Sequence, residues 1–150
     1  MADLRFESRI PATQQQLFDF HMDFSNVRIV TPPLFATRFV SVPETMEAGS
    51  RIVVEVAGPV GWMPWEIRVE QVEPHRLLVD AQDGRGPFRT WRHEHQFITE
   101  QSTSLLIDRI TYTLPFGILG RIADLLVMQW VQRLVFLYRH RKTIEYFAHR

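Results

Sequence analysis

The hydrophobic period of this chain changes at Pro115. From Phe35 to Leu114, apolar and polar residues largely alternate, in short runs broken by Gly, Pro and polar turns. After Pro115, apolar residues recur in steps of three and four. The first pattern is that of strands half-buried on one face; the second is that of a helix. A run of strands followed by one helical segment leaves few architectures, because a sheet with one apolar face must be covered and little but the helix remains to cover it.

The strand runs are readable one by one. "LRFESRI" places Leu4, Phe6, Ser8 and Ile10 on one side and reads as a first strand. Pro11 ends it, and Thr13 is the N-cap of a short helix whose buried side is Leu17, Phe18 and Met22. "SNVRIVTPP" predicts a second short helix, stopped by Pro32 and Pro33. Then follow "FATRFVSV", "RIVVEVAGPVG", "WMPWEIRVEQVEP", "RLLVDAQDG", "FRTWRHEHQFITE" and "TSLLIDRITYTL", joined mostly by short turns. That spacing predicts an antiparallel meander of six or seven strands.

In the final segment, Leu119, Ala123, Leu126, Trp130, Leu134 and Leu137 fall on one helical face. Arg121, Asp124, Gln132, Arg139 and Lys142 fall largely on the other, so the apolar stripe is expected to face the sheet. A helix of about 30 residues spans roughly 45 Å, enough to cross a whole sheet. A straight helix cannot lie flush on a strongly curved sheet along its whole length, so a cavity between them is expected. The fold class is therefore α+β: an antiparallel sheet wrapped on a long C-terminal helix, with two short helices after the first strand.

The 150 residues suit a single domain, residues 1–150, and no linker or repeat divides them. Seventeen basic residues balance seventeen acidic ones, which gives no footprint for nucleic acid or an anionic membrane. The absence of cysteine excludes disulfides and thiolate-ligated metals. "MADLRFESRI" has no basic stretch followed by an apolar run, so no secretory signal is expected. Arg121, Asp124 and Arg133 interrupt the apolar region Ile118–Tyr138, so neither a transmembrane helix nor stable membrane insertion is expected. The expectation is therefore a soluble cytoplasmic protein.

Chemistry concentrates in "FRTWRHEHQF". Alternation puts Trp91, His93, His95 and Phe97 on one face, and the aromatic company makes that face the inner one. The following strand puts Leu106, Asp108, Ile110, Tyr112 and Leu114 on a shared face. A two-residue turn at Gln101 and Ser102 pairs His95 with Asp108, His93 with Ile110 and Trp91 with Tyr112. A register two residues different pairs His93 with Asp108 instead. In either register a histidine and a carboxylate meet inside, as a polar pair in the cavity or as a pair that pins strand register.

A His-x-His on a strand offers two metal ligands on one face, and Gly86, His93, His95 and Glu100 echo a cupin motif. A cupin needs a further histidine downstream, which "LPFGILG" does not supply, and Glu100 falls at a turn. A lone set of His93, His95 and Asp108 could still hold zinc or iron, but no metal and no cofactor are expected. Acid–base catalysis would use His93 or His95, oriented by Asp108. No nucleophile elbow is present. Noncovalent binding needs only an apolar pocket with a few polar groups. Its expected lining is Trp65, Ile67, Trp91, His93, His95, Asp108 and Tyr112 from the sheet, with Leu126 and Trp130 from the helix.

Smaller features read as structure. "GRGP" lacks phosphate-loop spacing and is a turn. In "LPFGILG", Pro115 stops the strand, Gly117 bends the chain and Gly120 eases close packing. "YRHRK" is a basic, solvated face at the helix end. Trp62, Pro64 and Trp65 form either core or an apolar rim suited to a homodimer or membrane contact.

The order of elements, with "DAQDGRGPFRTWRHEHQF", "DRITYTLPFGILG" and the closing "LVFLYRHRKTIEYF", resembles the ligand-binding SRPBCC proteins of the START-related helix-grip superfamily, from Phe6 to Phe147. The resemblance implies binding of an apolar or amphipathic small molecule (a lipid, a polyketide or an isoprenoid-like compound) between sheet and helix. It also implies, as the alternative, an enzyme of the polyketide cyclase/dehydratase kind with His93, His95 and Asp108 as its candidate groups. Some relatives are fused to nucleotide-sugar-epimerase-like reductases, which implies a reductase partner.

Overall fold

The structure is a computed structural model that describes residues 1–150. Strand β1 (Ala2–Ile10) is followed by α1 (Gln14–Met22), a 3-10 turn (Phe24–Asn26) and α2 (Val27–Val30). Six strands follow: β2 (Thr37–Ser41), β3 (Arg51–Gly58), β4 (Gly61–Glu73), β5 (Leu77–Gln82), β6 (Thr90–Glu100) and β7 (Thr103–Thr113). The chain closes with α3 (Gly117–Ala123), a π-helical turn (Asp124–Met128) and α4 (Gln129–Ala148).

Local chemistry explains the boundaries. Thr13 and Gln16 form a full capping box at the start of α1: the Thr13 hydroxyl accepts from the Gln16 amide, and the Gln16 side chain accepts from the Thr13 amide. Gln101 sits at φ 52° in the turn between β6 and β7. At the start of α3, Phe116 and Gly117 both have positive φ. The backbone there turns tightly enough that a Cβ on Gly120 would lie 2.0 Å from the Pro115 carbonyl oxygen. Gly120 thus has the close-packing role its place in "LPFGILG" suggested.

The seven strands form one antiparallel sheet in the order β1-β7-β6-β5-β4-β3-β2. The β6–β7 register pairs Glu100 with Thr103, His95 with Asp108 and Trp91 with Tyr112, as a two-residue turn requires. On β5, Asp80 pairs with His93. Bulges interrupt β2 beside β3 and β4 beside β5, the latter between Val69 and Gln71. Such insertions bend and twist a strand and so contribute to the curvature of the sheet.

The core lies between the concave face and α4. Phe6 of β1 stacks on Phe136 of α4 with ring centroids 5.2 Å apart. Ile10, Leu17, Val69, Ile110 and Tyr112 are fully buried.

The C-terminal helix is rotated from the expected orientation. Gln132, Phe136, His140 and Thr143 are its buried residues, and Val131, Val135 and Arg139 face the cavity beside them. The expected inner stripe points to solvent instead, with Leu126 70% and Trp130 65% exposed, together with Leu119, Leu134 and Leu137. The inner face must carry the polar groups that meet Asp108, so the more apolar stripe is not the buried one. The "YRHRK" cluster divides accordingly: His140 is buried and Arg139 faces the cavity, while Arg141 stays on the surface.

Candidate functional site

The gap between sheet and helix is a cavity of about 400 Å³, within the range of small-molecule sites. Its body is apolar. Val54, Trp65, Ile67 and Trp91 contribute from the sheet, and Val131, Val135 and Phe136 from α4. Trp65 and Trp91 meet edge to face at 4.8 Å, with Phe88 beside them. His21, Asp80, His93, His95 and Arg139 form a polar cluster at one end of the lining.

Strand alternation builds that end. His93 and His95 lie on the inner face of β6, and Asp80 lies opposite His93 on β5. Behind the histidines sits Asp108 of β7, 2% exposed. His93 Nε2 donates to Asp108 Oδ1 at 2.8 Å, and His140 Nε2 donates to Oδ2 at 2.8 Å. His95 Nδ1 is 2.9 Å from the same Oδ1 but lacks hydrogen-bond alignment. The second nitrogen of His140 meets the Ser8 hydroxyl at 2.8 Å, which explains why a serine occupies an inward position of β1. Phe136 packs edge-on against the His93 ring at 5.0 Å.

Electrostatics follow from burial and neighbours. Burial alone would raise the Asp108 carboxyl, but His95, His93 and the hydrogen bond from His140 outweigh it and hold that group well below the usual carboxylate range. Asp80 has less support: burial raises it to about 6 against the opposing pull of His95 and Arg139. Burial lowers His93 and His95, partly offset by Asp108. Burial takes His21, whose Nδ1 donates to the Leu17 carbonyl at 2.8 Å, down to about 3. The imidazoles at this end are thus held toward their neutral forms.

Of the residues expected to line the pocket, Trp65, Ile67, Trp91, His93 and His95 do so. Asp108 and Tyr112 do not reach the cavity. Asp108 stands behind the histidines, and Tyr112 is a fully buried core residue whose hydroxyl donates to Asp124 Oδ1 at 2.6 Å. Leu126 and Trp130 lie on the outside. Sequence reasoning missed Asp80, His140, Arg139 and His21. Asp80 was hidden because "LLVDA" is apolar on both faces and gives alternation nothing to report. His140 and Arg139 were hidden by the misoriented helix face.

This arrangement of a curved antiparallel sheet, a covering C-terminal helix and a cavity between them is that of the helix-grip class. A family model described as polyketide cyclase / dehydrase and lipid transport matches residues 10–136. The chain belongs to that family. Solved structures share the fold at low identity. The protein TTHA0849 of Thermus thermophilus is 14% identical with a TM-score of 0.72, covering 96% of this chain and 98% of its own. The major latex-like protein 151 of Panax ginseng is 11% identical with a TM-score of 0.70, covering 97% of each chain. A nucleoside-diphosphate sugar epimerase from Corynebacterium glutamicum is 20% identical with a TM-score of 0.65; the match covers 95% of this chain and 28% of that longer one. No curated protein matches this chain at a significant level. No helix is long and apolar enough to cross a membrane.

Proposed function

We propose that the protein binds an apolar or amphipathic small molecule noncovalently, in the class of lipids, polyketides or isoprenoid-like compounds. The observation that carries this reading is the cavity itself: about 400 Å³, apolar along its body and polar at one end. Such a site removes a hydrophobic skeleton from water and orients it by one polar group. Native mass spectrometry of freshly purified protein tests it. The expected result is a co-purifying small molecule that is absent when Val131→Trp fills the cavity. A wild-type protein that carries nothing, and takes up no fluorescent fatty-acid or naphthalene probe, would overturn it.

One observation favours a second reading, a cyclase- or dehydratase-like reaction. His93 lines the cavity while its other nitrogen donates to Asp108, an arrangement suited to moving a proton to or from a bound molecule. Incubation of the co-purified molecule with wild type, but not with His93→Gln, should then change its mass or absorption. An unchanged molecule would leave binding alone.

A further inference from the structure

The polar end of the cavity holds three acceptor atoms with no donor between them. Asp80 Oδ1 lies 3.7 Å from His93 Nδ1 and 3.8 Å from His95 Nε2. All three atoms lie within 4.8 Å of one another. Asp80 Oδ1 is buried and makes no hydrogen bond.

The protonation of the two imidazoles follows from what lies behind them. His93 Nε2 donates to Asp108 Oδ1, so in the neutral ring the proton is there and Nδ1 keeps its lone pair. His95 Nδ1 faces the same carboxylate oxygen at 2.9 Å. A lone pair in that position would repel the carboxylate, so Nδ1 carries the proton and Nε2 keeps its lone pair. Two lone pairs and a carboxylate oxygen therefore converge on one point, and an unpaired buried carboxylate oxygen is unfavourable without a cation or a donor.

We propose that Asp80, His93 and His95 form a site for a divalent first-row transition ion, of the zinc or ferrous class. The ligand set is two imidazole nitrogens and one carboxylate oxygen, which suits these ions better than magnesium or calcium. With bonds of about 2.1 Å, a tetrahedral shell has ligand–ligand edges of roughly 3.4 Å. The two Asp80–histidine separations exceed that by a few tenths of an ångström, and the two imidazole nitrogens lie within 4.8 Å of each other, a closure made by side-chain rotation. Asp108 accepts from the far nitrogen of His93 and faces that of His95, the arrangement that orients metal-ligating histidines. The carboxylate comes from β5 and both imidazoles from β6, two adjacent strands of a rigid sheet.

Charge sets what else the ion would take. With Asp80 ionised on binding the ion, Asp108 ionised and Arg139 facing the same end, a divalent ion leaves one net positive charge. Three protein ligands leave a coordination position open toward the cavity. An anionic oxygen on the bound molecule would fill that position and neutralise the group. The ion is held by protein atoms alone, so this site and the small-molecule reading stand or fall separately.

Titration with Co²⁺, after dialysis against a chelator and with no affinity tag, tests the site. One ion per chain is expected, with a d–d absorption band that Zn²⁺ competes away. Asp80→Asn should abolish the band, and Asp108→Asn should weaken affinity about 10- to 100-fold. His75→Ala and His149→Ala should leave it unchanged. Where Asp80→Asn fails to fold, NMR of the wild type decides: Co²⁺ should shift the ring signals of His93 and His95 but not of His149. No band in the wild type, a band that survives in folded Asp80→Asn, or shifts confined to the other histidines would overturn the proposal.

Discussion

Asp108 Oδ2 accepts a hydrogen bond of 2.8 Å from His140 Nε2, which ties the middle of β7 to α4 across 32 residues of sequence. The same carboxylate accepts from His93 and faces His95. Asp108 is therefore where the sheet, the helix and the polar end of the cavity meet. Its partners decide both how α4 is seated and which nitrogens of the site keep their lone pairs.

Asp108→Ala should destabilise the fold by about 3–5 kcal/mol, the loss expected when one member of a buried charged group is removed and the others keep their donors. His140→Leu replaces a donor by an apolar side chain but leaves Asp108 with His93, and should be milder. Urea unfolding of the metal-free proteins measures both. Equal losses from the two substitutions would show that the helix contact dominates, rather than the histidines of β6.

The outward apolar stripe should be dispensable for the interior. Leu126→Gln and Trp130→Gln change exposed side chains and should alter stability by no more than about 0.5 kcal/mol. Neither should affect occupancy of the cavity in native mass spectra. Phe136→Ala removes a buried ring stacked on Phe6 and should cost about 3–5 kcal/mol. The contrast tests the orientation of α4 directly.

Tyr112 gives the fold an alkaline limit. Burial and then the hydrogen bond to Asp124 raise its phenol above the ordinary value of 10.0. The folded state favours the protonated form, so this contribution is complete below pH 10 and is lost as pH rises above it toward the folded value. At pH 11 the loss is about 1.4 kcal/mol relative to pH 9. Tyr112→Phe, with no phenol at that position, should lack this component. Urea midpoints of both proteins at the two pH values check it. A phenolate absorption titration should also show Tyr112 ionising only as the protein unfolds.

Gly120→Ala should lower the melting temperature. The added Cβ would overlap the Pro115 carbonyl oxygen, and backbone cannot swing aside as a flexible side chain can. A loss of about 1–3 kcal/mol is expected for such overpacking. Gly49→Ala makes the informative comparison in a thermal melt: it too is strained, at φ 94°, but its Cβ would meet nothing.

Much of this protein is legible in its residues because the signals are local. Period-two alternation set the strands, and a two-residue turn at Gln101–Ser102 pairs His95 with Asp108; the other register, His93 opposite Asp108, is excluded only by the structure. Thr13 announced the start of α1 by an equally local signal. Alternation also turned His93 and His95 inward, since their neighbours Trp91 and Phe97 had to be buried.

What the tertiary structure alone decided is which helix face meets the sheet and which carboxylate completes the site. Periodicity finds the most apolar stripe, but burial follows the best fit of a whole surface. Here that fit admits Arg139 and His140 because Asp80, Asp108 and Ser8 stand across from them or close by, while Leu126 and Trp130 face outward. Asp80 lies in a strand apolar on both sides, so no alternation could orient it. Its meeting with the histidines depends on the pairing of β5 with β6, a contact between strands that neither sequence segment encodes alone.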